Sequence, residues 1–268
     1  MASRRRGRKP LPARSRTGWL RWYRSWERQQ EQFNRNRERR FGAILDVLAA
    51  TVPSRFAALD LGCGPGSLSV RLLARFPRAR SVAIDFDPVV QRIGQGAFGT
   101  VGGRLAWVHA DLGREGWARS LPFPTYHAAV STTALHWLDR GRLRRLYGDL
   151  ARLVRPGGVF VNGDRMPWGP ARPYLTKVAK NVRSVRLRRA GLRGDRHGRD
   201  VWRAWWETAR HDAVLGPLFA ERDPRGVAHP HRGDLPLATH REALEEAGFR
   251  SVDVVWRDLE DVVLLARR

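Results

Sequence analysis

The chain has 268 residues, of which 42% are hydrophobic, and its formal net charge is +24. This length and apolar content suit one α/β domain with additions. The sequence contains no run of eighteen apolar residues, so we expect no membrane-spanning helix. The basic N-terminus lacks the apolar segment of a secretory signal. The single cysteine, Cys63, excludes an internal disulfide and a cysteine-based zinc site, so we expect a cytoplasmic protein without a metal.

The positive charge has two interpretations. Neutralisation of phosphates dominates nucleic-acid binding, so a nucleic-acid partner stays open. However, only three of the 50 basic residues are lysine, and such an excess of arginine is typical of a GC-rich bacterial genome. The favoured interpretation is therefore a surface of solvated arginines. Residues 1–17 hold seven basic residues and no acid, which predicts a disordered basic tail.

The first regular pattern is helical. Trp19, Trp22 and Trp26 recur at helical spacing, which predicts an N-terminal helical lid over residues 18–40. Short apolar strands then alternate with helices from residue 41 to residue 166. We place the strands at 56–61, 81–84, 105–109, 126–131 and 158–162, and the helices at 67–75, from 88, and at 140–153. Such alternation predicts a parallel sheet with helices on both faces.

The alternation stops after residue 166. Residues 167–239 are rich in arginine, and Trp202, Trp205 and Trp206 have helical spacing, so we predict a helical insertion that caps the substrate. A helix at 241–247 and strands at 251–257 and 261–266 follow. The short link between these strands predicts an antiparallel hairpin, so that residues 240–268 complete the core at one sheet edge.

A glycine-rich turn joins the first predicted strand to the first helix of the sheet. Residues 59–67 read Leu-Asp-Leu-Gly-Cys-Gly-Pro-Gly-Ser. Glycines allow a tight turn and a close approach to a ligand, and the helix N-terminus favours an anionic group. The spacing matches neither the dinucleotide fingerprint nor a P-loop. Taken alone, it indicates either a nucleotide-like cofactor or a tight turn.

Two aspartates follow the next two strands. Asp85 ends the second strand and Asp111 follows the third. Because the carboxyl ends of adjacent parallel strands line one crevice, both carboxylates should lie near the glycine turn. A carboxylate can accept hydrogen bonds from both ribose hydroxyls, which favours the cofactor over a simple turn.

These motifs resemble those of class I S-adenosylmethionine-dependent methyltransferases, in the small-molecule branch that includes trans-aconitate methyltransferase-like enzymes. The resemblance rests on LDLGCGPGSLS, STTALHWL and LVRPGGVF; His127 departs from it where the family often has aspartate. It implies a Rossmann-like, seven-stranded, mostly parallel sheet of order 3-2-1-4-5-7-6 with the last strand antiparallel. It also implies S-adenosylmethionine as cofactor, bound by Asp60, Gly62, Cys63, Gly64, Gly66, Asp85, Phe86, Asp111, Leu112 and Ser131.

We therefore predict methyl transfer to an oxygen, nitrogen or carbon atom of a small molecule, such as a specialised metabolite. His136 is the candidate general base, because it follows the fourth strand near the expected methyl position. Trp19, Trp22, His136, Trp137 and Trp205 are the candidate substrate contacts. We expect His229, His231 and His240 to be surface residues and not part of a functional site. An RNA guanine methyltransferase and a non-catalytic scaffold remain the alternatives.

Overall fold

The structure, a computed structural model, describes residues 14–191, 196–222 and 235–268. Within these ranges one sheet has seven strands in the order β3-β2-β1-β4-β5-β7-β6. The strands are β1 Ala57–Leu61, β2 Arg80–Asp85, β3 Leu105–His109, β4 Tyr126–Thr132, β5 Val154–Arg165, β6 Arg250–Asp258 and β7 Asp261–Arg267. β7 is antiparallel to both of its neighbours, and the other pairs are parallel. The predicted fold class and strand order are confirmed.

Nine helices are seen in the same ranges. They are α1 Arg16–Phe33, α2 Arg37–Thr51, α3 Ser67–Arg75, α4 Pro88–Phe98, α5 Arg140–Leu153, α6 Pro173–Arg189, α7 Arg196–Arg210, α8 Phe219–Arg222 and α9 Leu237–Glu246. α1 begins inside the predicted disordered tail, because Ser15 caps it by accepting a hydrogen bond from the Gly18 amide at 3.2 Å. That prediction is wrong for residues 16–17, and residues 1–13 lie outside the described ranges. The described parts of the predicted insertion, 167–239, include α6, α7 and α8, and α9 begins inside its last residues.

Two apolar layers cover the sheet, one on each face. Leu59 and Leu61 of β1 pack in the layer that contains Leu146 and Leu150 of α5. Ala58, between the two leucines, packs in the opposite layer, which includes α2 and α3. This alternation is the period of two that a strand requires. Each fully buried leucine contributes roughly 1.5–3 kcal/mol, so the layers hold the carboxyl ends of the strands in register at one edge.

A third apolar cluster joins α1 and α7 to α4. Trp19 and Trp205 are buried there with Ile93 of α4. Trp19 lies so close to Gly96 that a Cβ atom at that glycine would fall 2.3 Å from the indole. The cluster seats α1 and α7 beside the carboxyl edge of the sheet, where they form one wall of a cavity. None of the described helices is long and apolar enough to cross a membrane.

Candidate active site

The turn after β1 has a backbone that only glycine adopts readily. Gly62, Gly64 and Gly66 have φ angles of 69°, 54° and 81°, in the left-handed region where a Cβ atom is strained. A Cβ atom at Gly62 would also fall 2.3 Å from Cβ of Ala134. The loop after β4 therefore packs directly on the turn, and Gly62 and Gly64 are exposed to the cavity above it.

The side chain of Asp85 ties the end of β2 to this turn. One carboxylate oxygen accepts from the Gly64 amide at 2.7 Å, and the other accepts from the Asp87 amide at 2.9 Å. Burial raises the pKa of Asp85 to about 7. Because Asp85 also lines the cavity, the fold keeps a costly buried carboxylate facing the space where hydroxyl groups of a ligand would lie.

The cavity has a volume of about 700 Å³ and lies between the carboxyl edge of the sheet and helices α1, α6 and α7. This size is usual for the binding site of a small molecule. The structure brings six of the predicted cofactor residues to its wall: Gly62, Gly64, Asp85, Phe86, Asp111 and Leu112. Asp111 is held at the edge by the Gly113 amide, 2.9 Å from its Oδ1 atom.

A smaller pocket of about 60 Å³ lies beside the glycine turn and shares Gly62 and Gly64 with the large cavity. Asp60 lines it, and Ser69 donates to its Oδ2 atom from the amide at 3.0 Å and from the hydroxyl at 2.6 Å. Burial raises the pKa of Asp60 to about 6. Arg37, which the sequence analysis missed, lines the same pocket. The Asp60 carboxylate suits the ammonium group of an α-amino acid, whereas the Arg37 guanidinium is already paired with Glu27 at 2.8 and 3.1 Å.

Three other predicted cofactor residues are placed differently. Ser131 is fully buried, lines neither cavity and donates its hydroxyl to the Leu61 carbonyl at 2.8 Å, so its side chain joins β4 to β1. Its prediction as a cofactor contact is wrong. Gly66 also lies outside both cavities and is the N-cap residue that precedes α3. Cys63 lines the small pocket, and burial raises the pKa of its thiol.

Three predicted substrate contacts, Trp19, Trp22 and Trp205, do not line the cavity. Trp22 and Trp205 instead meet edge to face with ring centroids 5.6 Å apart, and the Trp205 indole donates to Ser25 at 3.0 Å. These predictions are wrong, because the three indoles occupy the helix faces that pack into the third apolar cluster. The tryptophans at the cavity wall are Trp26, Trp137, Trp202 and Trp206, of which only Trp137 was a candidate.

His136 lies in a short 3-10 helix, Leu135–Trp137, that follows β4. Its Nδ1 atom is 2.9 Å from Oδ1 of Asp164, and its amide donates to Oδ2 of the same carboxylate at 3.2 Å. Both residues line the cavity. Burial alone would raise the pKa of Asp164, but the nearby charges of His136 and Arg40 and the His136 hydrogen bond lower it. Asp164 is thus an ionised partner that holds the imidazole ring toward the cavity wall.

The predictions for the other three histidines have different outcomes. His240 is 2% exposed and its Nδ1 atom is 2.7 Å from the Tyr147 hydroxyl, so its prediction as a surface residue is wrong. It does not line the cavity. His229 and His231 lie outside the described residues. In the part of the chain that the structure describes, no three His, Cys, Asp or Glu residues could hold a metal ion.

Comparisons with known proteins identify the family of this chain. A family model described as "Methyltransferase domain" matches residues 58–158. A trans-aconitate 2-methyltransferase of Azoarcus sp. is 34% identical over 228 residues, which cover 84% of this chain and 76% of that protein. An uncharacterized methyltransferase of Mycobacterium tuberculosis is 38% identical over 123 residues, 45% of this chain, so the match spans about half, 55%, of that relative.

A solved structure supports the fold alone. An O-methyltransferase family protein from Burkholderia thailandensis superposes with a TM-score of 0.55 at 16% identity, over 97% of this chain and 64% of that one. The length and identity of the Azoarcus match confirm the predicted family. The chain belongs to the class I S-adenosylmethionine-dependent methyltransferases.

Proposed function

We propose that this protein transfers a methyl group from S-adenosylmethionine to a small-molecule acceptor. One observation carries the proposal: a single cavity joins the glycine turn and Asp85 to the paired side chains of His136 and Asp164. The Azoarcus relative is named for trans-aconitate, a small molecule, which supports an acceptor of this size. The single cysteine supports a cytoplasmic site of action.

We assign the cofactor to the side of the cavity next to β1, β2 and β3. Asp85 would accept hydrogen bonds from the ribose hydroxyls, and Phe86, Asp111 and Leu112 would surround the adenine. The amino-acid end would enter the small pocket, with its ammonium group at Asp60. When bound there, S-adenosylmethionine supplies an activated methyl group, whose bonding electron pair stays on the sulfur as the carbon is transferred.

His136 and Asp164 would handle the proton of the acceptor. In the neutral tautomer that donates its Nδ1 proton to Asp164, the basic lone pair lies on Nε2 of the ring. Nε2 would take the proton from a hydroxyl or an amine as that group attacks, and general-base assistance of this kind contributes typically 10²–10⁴-fold. The walls from α1, α6 and α7 would orient the acceptor and limit the access of water.

Radiolabelled S-adenosylmethionine tests this proposal. The purified protein is incubated with it and either a mixture of small hydroxy and amino acids or total RNA. We expect label in the small-molecule fraction, and the His136→Asn variant should transfer much less label to that fraction. Label in RNA alone would contradict the small-molecule acceptor. Absence of transfer by a protein that binds S-adenosylhomocysteine, across both mixtures, would favour a scaffold.

A further inference from the structure

We propose that the acceptor carries an anionic group bound by Arg40, and that this group is a handle, separate from the hydroxyl or amine that is methylated. The inference rests on the proposed function and narrows its acceptor to a hydroxy acid or an amino acid. Arg40 belongs to α2 and lines the cavity, yet it is only 2% exposed.

Arg40 is weakly paired for a buried guanidinium. Its Nη1 atom is 3.5 Å from the Gly163 carbonyl oxygen and 3.9 Å from Oδ1 of Asp261. Its buried Nε–H has no hydrogen-bond partner among the described residues. Leaving a buried cation without a close carboxylate is costly. An anion in the cavity would supply the missing partner, because a guanidinium matches a carboxylate with two parallel hydrogen bonds.

The other buried or paired arginines of the cavity differ from Arg40. Arg165 and Arg183 both contact Glu260, at 2.8 and 3.0 Å. Arg186 contacts both carboxylate oxygens of Asp258 at 2.9 Å, and Arg222 contacts Asp87 at 2.7 Å. Asp261, the carboxylate nearest to Arg40, already accepts from Asn36 at 2.7 Å. Arg40 therefore has a longer ion pair than these arginines, and the acids that its charge faces are Asp261 at 3.9 Å and Asp164, whose pKa it lowers.

The sheet order places Arg40 on the acceptor side. Its two neighbours belong to β5 and β7, whereas the glycine turn follows β1 and lies on the other side of β4. Gly163 immediately precedes Asp164, the partner of His136. An anion at Arg40 and a proton-bearing group at His136 would therefore both lie in the one cavity, near the carboxyl end of β5.

The pairing of His136 with Asp164 indicates that the anionic group of the acceptor is bound but is not the group that is methylated. A carboxylate has already lost its proton, so its methylation to an ester needs no base. A hydroxyl or amine does need one. In the proposed reaction the acceptor oxygen or nitrogen forms the bond to the methyl carbon, its proton passes to Nε2 of His136, and the carbon–sulfur electron pair remains on the sulfur. The carboxylate keeps its charge on Arg40 throughout.

Binding measurements test the handle without relying on turnover. The protein is first saturated with S-adenosylhomocysteine and then titrated by calorimetry with lactate, salicylate and 4-hydroxybenzoate, each beside its primary amide. We expect at least one acid to bind at least tenfold more tightly than its amide. This preference should vanish in Arg40→Met and return in part in Arg40→Lys. Arg39→Met is the matched control, because Arg39 is the adjacent residue and its side chain is 63% exposed.

The outcomes separate the two proposals. If S-adenosylhomocysteine binds but no acid is preferred, or if Arg40→Met keeps the preference, the handle is overturned and the cofactor site stands. If S-adenosylhomocysteine does not bind, the proposed function itself fails. The acid that binds best is then incubated with S-adenosylmethionine, and the methyl position is read by NMR. A methyl ether supports the handle, whereas a methyl ester or no product overturns it.

Discussion

His136 and Asp164 are 28 positions apart, yet the Nδ1 atom of the imidazole lies 2.9 Å from the carboxylate. The pairing follows from the sheet. β4 and β5 are parallel neighbours, so the residues at and beyond their carboxyl ends meet at one edge. Thr133, which leads from β4 toward His136, has a φ angle of 54° and donates its amide to the Gly163 carbonyl at 2.9 Å. This strained turn brings the imidazole to the end of β5.

Replacement of His136 by asparagine should lower kcat about 10²–10⁴-fold, because the acceptor loses its base. Asp164→Asn should also lower kcat, and the double variant should cost little more than the single ones, because the two residues act as a unit. Affinity for S-adenosylhomocysteine should stay within about twofold in every variant. His211→Asn, at an exposed position immediately after α7, is the control for turnover. Unchanged turnover in His136→Asn would remove this residue from the mechanism.

Replacement of Gly62 by alanine should weaken cofactor binding by more than about tenfold, because the added methyl group would collide with Ala134 and displace the turn. The comparison is Gly157→Ala, since Gly157 has a φ angle of 79° and nothing within 4 Å of the added Cβ atom. That variant should lose only about 1–2 kcal/mol of stability and keep its cofactor affinity. Equal cofactor affinities in the two variants, measured by calorimetry, would contradict the close packing of the two loops.

Glu27 of α1 should hold the wall of the cavity in place. It accepts from Arg37 at 2.8 Å, from Arg71 at 2.7 Å and from the Ser67 hydroxyl at 2.6 Å. Glu27→Gln should lower the free energy of unfolding by about 3 kcal/mol, because the buried Arg37 and the partly buried Arg71 lose their charged partner. Urea denaturation at pH 7 measures this, with the exposed Glu31→Gln of the same helix as control. A loss no larger than that of the control would contradict the role of the contact.

The Glu27 contact should also depend on pH. Burial alone would raise the pKa of Glu27, but the hydrogen bonds and charges of Arg37, Ser67 and Arg71 lower it to about 2. A carboxyl group whose pKa is lower in the folded state than in the unfolded state stabilises the fold at pH values above its unfolded-state pKa. The stability gap between wild type and Glu27→Gln should therefore narrow as the pH falls from about 4.5 to about 2. A gap that stays constant over this range would contradict the assignment.

His240 should make the fold sensitive to mild acid. Burial lowers its pKa to about 4 from an ordinary value near 6.5, so the unfolded chain binds a proton that the folded chain excludes. Stability should therefore fall by up to about 3 kcal/mol as the pH drops from 6.5 to 4. His240→Gln can still bond Tyr147 but cannot titrate, so its stability should fall less. Urea denaturation at several pH values checks this, and parallel pH profiles for the two proteins would contradict it.

The residues that line the cavity beside β1, β2 and β3 could be predicted from the sequence more readily than those that line it from the helices. Gly62, Asp85 and Asp111 could be found because each stands at the end of a short apolar strand, where topology alone brings side chains together. Asp164 obeys the same rule. It was missed because the fifth strand was predicted to end at Asn162, whereas it runs to Arg165.

The acceptor side depends on burial and on helix faces, which the sequence shows less clearly. Trp19, Trp22 and Trp26 share one helical stripe, yet the first two pack in the third apolar cluster and only Trp26 reaches the cavity. Which part of a stripe faces a cavity is decided by the neighbouring helix, here α7. Arg40 was missed for a related reason, because an arginine in a helix is expected to be solvated.

Calorimetric titration with S-adenosylhomocysteine tests the central claim most directly. The wild type should bind at micromolar or lower concentration, and Asp85→Ala should bind at least about 100-fold more weakly, since the ribose hydroxyls lose their acceptor in a buried site. Asp46→Ala, which removes an exposed carboxylate from α2, should bind as the wild type does. Absence of binding by the folded wild type, or equal binding by the wild type and Asp85→Ala, would contradict the proposed cofactor site.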